Sequence, residues 1–301
     1  MTGGRIDRWL AGQLQGLSRS RIQLLIKSGD ITVGGVAIGQ RMKPEAGMVV
    51  DIRIPDLTAQ SAEPEAIPLD ILYEDKDIVV VNKRPGMVVH PAIGNPSGTL
   101  VNALLHHCRK LPGINGVLRP GIVHRLDKNT SGAIVAAKTE KAMIHLGKQF
   151  SGRKVEKEYL AIVRGGPRPR SGRIETLIGR SAGNRKKMSA NPISGRTAIT
   201  VYETLRTFGG MSLLKVKLET GRTHQIRVHL AHIGHSVVGD ADYGRQKKIE
   251  LPVKAGRQML HAARLAFSHP STGKRVEFVA PVPDDMQKLI DAMERTRKKG
   301  G

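Results

Sequence analysis

Apolar residues recur at helical spacing in two short stretches near the start of the chain. Ile6, Trp9, Leu10 and Leu14 form one face, and Ile22, Leu25 and Ile26 another. Ser18 or Ser20 can cap the second helix, with Gln23 three residues after Ser20 as in a capping box, and Gly29 is a natural stop. Ile31-Thr32-Val33 and Val36-Ala37-Ile38 flank Gly34-Gly35, the pattern of a tight hairpin. Val49 to Ile54 alternates as a closing strand, so residues 1–56 read as a small module of helix, helix and short strands.

The pattern then lapses. Residues 55–68 are Ala, Glu and Pro with little apolar content, and 57–66 read as a flexible linker. A larger domain follows over 67–285. Strand-like runs at 71–73, 78–82, 122–123, 133–137, 159–163, 199–205, 211–219 and 276–280 outnumber helical runs at 98–108, 139–150 and 223–234. Strict strand–helix alternation is missing, so the class is α+β rather than a doubly wound sheet. Asp284 to Glu294 reads as a helix, and 286–301 as its end plus a short basic tail expected to be mobile.

Charge changes the picture most. The 301 residues carry 49 Lys and Arg against 26 Asp and Glu, a formal net charge of +23. The first 60 residues hold eight basic and five acidic side chains, so they account for +3 and the remainder of the chain for +20. A polyanion is the natural partner of such an excess. With six to ten phosphate contacts, affinity would fall by about three to five orders of magnitude between low and moderately high salt. Aromatic residues are 3% of the chain, too few for a broad base-stacking surface. The lone Cys108 supports neither a disulfide framework nor a cysteine-based zinc site. No signal-peptide core or 18-residue apolar run occurs, so the expectation is a cytoplasmic protein without a membrane partner.

His124-Arg125-Leu126-Asp127-Lys128-Asn129-Thr130-Ser131-Gly132 is the most informative segment. It follows the apolar lead-in Gly121-Ile122-Val123 and precedes the buried-strand run 133–137. An acid on a sharp loop between strands can be aimed into a cleft. An isolated Arg-Leu-Asp could equally be a surface ion pair beside a turn. No nucleotide-binding glycine motif occurs. His224, His229, His232, His235 and His261 crowd the second half, but no cysteine or carboxylate stands near them before Asp240, and packing or phosphate contact is the better reading than metal.

The nine-residue segment resembles the RluA/RluD family of RNA pseudouridine synthases. Further motifs in the same order extend the likeness: Val79-Val80-Val81-Asn82-Lys83, His90-Pro91, Gly94-Asn95-Pro96, Gly98-Thr99-Leu100-Val101-Asn102, Lys157-Glu158-Tyr159-Leu160-Ala161, and Glu219 through His229. Leu260-His261-Ala262 and His269-Pro270 continue it, so that it covers roughly Ile67 to Met286. Two departures stand out: Asn82-Lys83-Arg84-Pro85-Gly86 shifts the family's proline by one place, and Gly234-His235-Ser236 replaces a Gly-His-Pro turn. The N-terminal module resembles the RNA-binding module named after ribosomal protein S-four, with Gly34-Gly35 where Asn-Gly is usual.

The resemblance implies a mixed, mainly antiparallel sheet with a cleft across its middle, and no cofactor or metal. It makes Asp127 the acid that acts on uridine, paired with Arg227. A bidentate guanidinium would hold such a carboxylate ionised and oriented. It puts the Tyr159 ring against the target base, and Arg125 is the candidate to fill the space that base leaves. His124, Arg222 and Lys83 are expected to contact RNA in this domain, and Arg19, Arg21 and Lys27 in the N-terminal module. The implied reaction isomerises specific uridines in large-subunit ribosomal RNA, carried out by a monomer on RNA that can already lie within pre-ribosomal particles. A non-catalytic RNA-binding or assembly factor would use the same surfaces, and a histidine-dependent nuclease would instead bind metal.

Overall fold

In the computed structural model, the two apolar helical faces near the start of the chain close on each other. They belong to α1 (Ile6–Gln13) and α2 (Arg19–Ser28), and Ile6, Leu10, Ile22, Leu25 and Ile26 are all buried between them. The described residues are 4–14, 17, 19–54, 62–92, 94–108, 111–112, 120–184, 187–244 and 251–299, without the side chains of 20, 21, 24 and 297–299. The Ser18 and Ser20 capping groups, the Arg21 side chain and the linker over 55–61 lie outside them. Ile31 completes the small core from β1 (Ile31–Val33), which pairs antiparallel with β2 (Val36–Ala37) and β3 (Val50–Ile52). Gly34 and Gly35 join β1 to β2 with φ of 55° and 79°, the left-handed pair that a two-residue hairpin turn demands.

Asp7 is sealed inside this unit. Arg5 forks both of its oxygens at 3.0 and 2.9 Å, Arg19 donates at 3.1 and 3.2 Å, and Gln23 donates a further bond. Burial alone would push its carboxyl up, but the bonds from Gln23, Arg5 and Arg19 outweigh it and bring the pKa down to about 2.

The second compact unit begins at Glu63. Among the described residues its ten strands form one sheet, in the spatial order β4 (Ile71–Glu74), β5 (Ile78–Lys83), β6 (Ser131–Ala137), β12 (Leu260–Ser268), β7 (Glu156–Arg164), β11 (Met211–Leu218), β10 (Arg196–Phe208), β8 (Ser171–Arg180) and β9 (Met188–Ser189), with β13 (Arg275–Val279) pairing β12. β6 runs parallel to β12, and the other ladders are antiparallel. The mixed, mainly antiparallel sheet expected from the resemblance is what forms.

Four helices flank it: α3 (Leu100–Cys108), α4 (Glu140–Ser151), α5 (Gln225–His232) and α6 (Asp284–Lys299). Thr139 caps α4 through its side chain, which accepts from the Ala142 N–H at 3.2 Å, and Ala142 and Leu146 press onto Val135 and Phe267 in one core. Met286, Leu289 and Met293 of α6 join Ile162, Leu213 and Val238 in a second. Each such side chain contributes roughly 1.5–3 kcal/mol by leaving water.

Three expectations need correction. α6 runs to Lys299, so residues 295–299 continue a helix whose buried face is core and do not form a loose tail. Residues 63–66 are not slack linker: the Glu65 carboxylate accepts from the Gly98 N–H, and Asn102 Nδ2 donates to the Glu63 carbonyl at 2.7 Å. Ile122 and Val123 make no strand; Ile122 holds a single bridge to Ala136. β8, β9 and the central β12 were not foreseen.

Because Asp7 has a folded pKa below its unfolded value, its contribution is present above about pH 4 and fades as pH falls toward 2. Asp7→Ala removes the shared acceptor of the half-buried Arg5 and Gln23 and the exposed Arg19, and should cost the N-terminal unit roughly 1–3 kcal/mol. Thermal unfolding at pH 7 checks this: the loss should shrink as the same measurement is repeated toward pH 2.

Candidate active site

The segment 124–132 leaves the Ile122 bridge and enters β6, and neighbours from several elements fix most of its residues. The His124 ring stacks on Phe150 of α4 at 4.5 Å, and its Nε2 accepts from the Val135 N–H at 3.0 Å. Leu126 is buried. The Thr130 N–H returns to the Asp127 carbonyl at 3.1 Å, which turns the chain back sharply. The next two carbonyls are held by buried cations. Lys83 Nζ donates to Lys128 at 3.1 Å, and Arg257 Nη1 to Asn129 at 3.0 Å. Ser131 Oγ shares a hydrogen bond with His261 at 3.0 Å, and Gly132, at φ 114°, lies so close to β12 that a Cβ there would sit 2.2 Å from the Ala262 carbonyl oxygen. The segment is therefore a rigid bracket that presents Asp127.

Asp127 faces a cleft of about 530 Å³, within the range of small-ligand sites. Its carboxylate is partly exposed, and Oδ2 accepts from Arg227 Nη1 at 3.3 Å. Tyr159 of β7 lines the same cleft, its ring buried and its hydroxyl without a hydrogen bond among the described residues. Burial pushes its phenol well above the ordinary range, and the charge of Asp127 adds to this. Leu126, Phe150, Leu218, Ile226 and Leu260 supply apolar wall, and Arg125, Arg153, Lys157 and Arg222 supply positive charge. Arg125 is exposed; Arg222 is steadied by the bond from its Nε to the Thr197 carbonyl at 3.1 Å.

Arg227 stands on α5, only 4% exposed, and three carboxylates share it. Nε and Nη2 fork onto Asp240 at 2.7 and 2.9 Å, Nη2 also reaches Asp242 at 2.6 Å, and Nη1 turns to Asp127. The bidentate partner is thus Asp240, and Asp127 receives a single, longer bond. Asp240 is itself set by N–H bonds from Asp242 and Tyr243 at 2.9 and 3.0 Å. Burial would push its carboxyl up, but the Arg227 guanidinium keeps it below the usual range. The Tyr243 ring covers the guanidinium, with Cζ 5.0 Å from its centre. α5 is anchored through Gln225, which accepts from Thr220 Oγ1 and the Arg222 N–H and donates to Thr200 Oγ1 and the Ile199 carbonyl of β10.

The structure thus brings Asp127, Tyr159, Arg227, Arg125, His124 and Arg222 to one cleft. One of the expected RNA contacts is corrected. Lys83 is 1% exposed, its Nζ spent on the carbonyls of Arg84, Met87 and Lys128 at 3.0, 2.9 and 3.1 Å. Burial pushes its pKa down to about 7 against the opposing pull of Asp127, and it supports the loop rather than a nucleotide. His124 is a neutral strut, its pKa brought to about 3 by burial, with Lys157 adding to the effect. In the N-terminal unit Lys27 is exposed in the last turn of α2, and Arg19 is engaged with Asp7.

Asp240, Asp242, Tyr243 and Arg257 were missed. Their only signal was two acids beside Gly239 in a chain otherwise short of them. Of the crowded histidines, His229 is buried between Thr200 and Thr176 and His235 meets the Arg164 carbonyl. Elsewhere Glu74, His107 and Cys108, and separately Asp75, Asp77 and His269, lie close enough to hold an ion. Their carboxylates are already satisfied by Lys138, His107, Tyr73, His269 and Ser271, and none of these residues lines the cleft.

Asp240 is the two-pronged partner of a buried guanidinium, which without it would keep only the single bonds to Asp127 and the half-exposed Asp242. Asp240→Ala should therefore lower stability by about 3–5 kcal/mol. Asp242 is nearly half exposed, and Asp242→Ala should cost less than about 1 kcal/mol. Chemical denaturation of the two variants checks the contrast.

Comparison with known proteins agrees with this geometry. The model of a family described as RNA pseudouridylate synthase matches residues 77–232. An uncharacterized RNA pseudouridine synthase of Bacillus subtilis, YlyB, is 44% identical across 98% of this chain and 95% of its own. A protein of Zymomonas mobilis named ribosomal large subunit pseudouridine synthase D is 46% identical across 96% and 94%. The solved structure of human RNA pseudouridylate synthase domain containing 1 superposes with a TM-score of 0.59 at 27% identity, covering 76% of this chain and 96% of that one. With these matches spanning the Asp127 segment, Tyr159 and Arg227, the chain belongs to the RluA family of RNA pseudouridine synthases, isomerases that act on RNA.

Proposed function

We propose that the chain converts specific uridines of large-subunit ribosomal RNA to pseudouridine, with Asp127 as the group that acts on the sugar–base bond. The observation that carries this reading is the meeting of Asp127, Tyr159 and Arg227 in one basic cleft. Ribosomal RNA is favoured over other RNA by the Zymomonas mobilis relative and by one of Neisseria meningitidis with the same printed name, 42% identical over 97% of this chain.

The reaction breaks the bond from ribose C1′ to uracil N1, turns the ring, and forms a bond from C1′ to C5. The C5 proton leaves and N1 gains one, so atoms balance and no oxidant or reductant enters. A partly exposed carboxylate beside a guanidinium suits it. Asp127 serves either as nucleophile or as base and electrostatic stabiliser of a cationic sugar. The uridine must first leave its stack, at a cost of about a few kcal/mol, which favours loops and bulges as targets. Tyr159 offers its buried ring to the everted base, and Arg125 at the exposed edge takes the space vacated in the helix. Arg222 and Arg153 hold phosphates at the rim.

The N-terminal unit serves as an S-four-like RNA grip through Lys27, with Arg19 and Arg21 on the same helix. The protein works as a monomer in this reading. Among the described residues no helix is long and apolar enough to cross a membrane, in keeping with work on cytoplasmic ribosomal RNA or pre-ribosomal particles.

Asp127→Asn should abolish pseudouridine formation, at least about a thousandfold, while RNA affinity stays within about twofold. The check is a pseudouridine map of ribosomal and transfer RNA from cells lacking the gene, complemented with either form. Loss and rescue of a ribosomal site only by the unaltered protein supports the reading; rescue by Asp127→Asn rejects the assignment, and no lost site favours a binding role.

A further inference from the structure

His224 lies at the N-terminal end of α5 and lines the cleft beside Asp127, Tyr159 and Arg227. Its φ of 55° is in the left-handed region, which residues other than glycine adopt when their surroundings impose it. The imposing contact is Tyr243. The His224 Nδ1 lies 2.9 Å from the Tyr243 hydroxyl, and the two rings meet edge to face at 5.6 Å. That hydroxyl also accepts from the Met188 N–H at 2.8 Å. Among the described residues, His224 Nδ1 is then the one acceptor placed to receive the tyrosine proton, an arrangement that puts the neutral ring's own proton on Nε2. Burial lowers the pKa of the imidazole against the pull of Asp127, which favours the neutral ring. Nε2 has no partner among the described residues, yet it is not among the sealed polar atoms, so this N–H is left for whatever enters the cleft.

We propose that His224 donates a hydrogen bond from Nε2 to a carbonyl oxygen of the everted uracil, with Tyr243 fixing the tautomer that makes it a donor. The inference rests on reading this cleft as the uridine site. The symmetry of the base supports it. Rotation about the line through N3 and C6 exchanges N1 with C5, and at the same time O2 with O4. A donor fixed in the wall therefore meets a carbonyl both before and after the ring turns. Cytosine carries an amine in place of O4, so one of its two orientations would set donor against donor and leave both unpaired. A neutral donor also suits a base edge better than a phosphate, since Arg125, Arg153 and Arg222 already supply charge at the rim.

The test uses the full-length protein, an unmodified transcript of large-subunit ribosomal RNA, single-turnover rates at saturating enzyme, and RNA affinity as a function of salt. His224→Ala should slow the saturated rate about 10- to 30-fold with affinity within about twofold. His224→Gln, which keeps an N–H donor, should recover part of that loss. Tyr243→Phe keeps the ring but frees the tautomer, and should slow the reaction by several-fold. Nitrogen NMR of the histidine side chains gives a check independent of activity and of how well the alanine variant folds: His224 should be protonated on Nε2 in the free protein. Protonation on Nδ1, or an unchanged rate in His224→Ala, overturns the proposal. So does weaker binding with a shallower salt dependence and an unchanged saturated rate, which would mark a phosphate contact. If the unaltered protein makes no pseudouridine on any ribosomal or transfer RNA, the reading of the cleft fails first, while the tautomer measurement still stands.

Discussion

The shared guanidinium of Arg227 is the constraint around which the site is built. Taking it and Asp240 out of water costs several kcal/mol for each ion, and their attraction offsets that only when geometry is good and the remaining valences are filled. Here four of the five N–H groups are placed on three carboxylates, and a tyrosine face lies over the guanidinium. Since Asp240 takes the two-pronged contact, Arg227 stays in place without help from Asp127. Asp127 can therefore keep one oxygen on the cation and turn the other toward a ligand. A carboxylate gripped on both oxygens would be steadier and less free to react.

The same division between holding and acting recurs in the loop that carries Asp127. The work of holding falls to groups behind it, namely Lys83, Arg257, His124 and the contact of Gly132 with β12. Lys83 and Arg257 are cations buried against carbonyl oxygens, and Arg257 also forks onto Asp285 of α6 at 2.7 and 2.9 Å. A helix at the end of the chain is thereby tied to a loop near its middle. Chain segments distant in sequence must all be in place before the carboxylate is aimed, which suits a site requiring positions fixed to within about half an ångström.

Sequence alone reached the residues that carry a motif and the elements with a strong period. β5 and β6 are nearly continuous Val, Ile and Ala, and α4 has a capping threonine and a clear apolar stripe, so both were legible. β12 was not. Leu260-His261-Ala262-Ala263-Arg264 has little of the β-branched character that marks a strand, and its central place comes from parallel pairing with β6, which no local pattern encodes. β8 was hidden by alternating charges and by Gly172 and Gly179. Lys83 looks like a nucleic-acid contact by residue type, and long-range packing decides that it faces inward. Asp240 and Tyr243 act on Arg227 from 13 and 16 residues downstream, a distance at which a carboxylate and a ring announce nothing.

A crystal structure of the protein with an RNA stem-loop carrying its target uridine would test the central claim most directly. That uridine should be turned out of its helix with its ring against Tyr159, and the Asp127 carboxylate should lie within about 3.5 Å of the sugar C1′ while Arg227 keeps its fork on Asp240. A bound uridine whose sugar lies well away from Asp127, or an Arg227 drawn off Asp240 onto the RNA backbone, would contradict it.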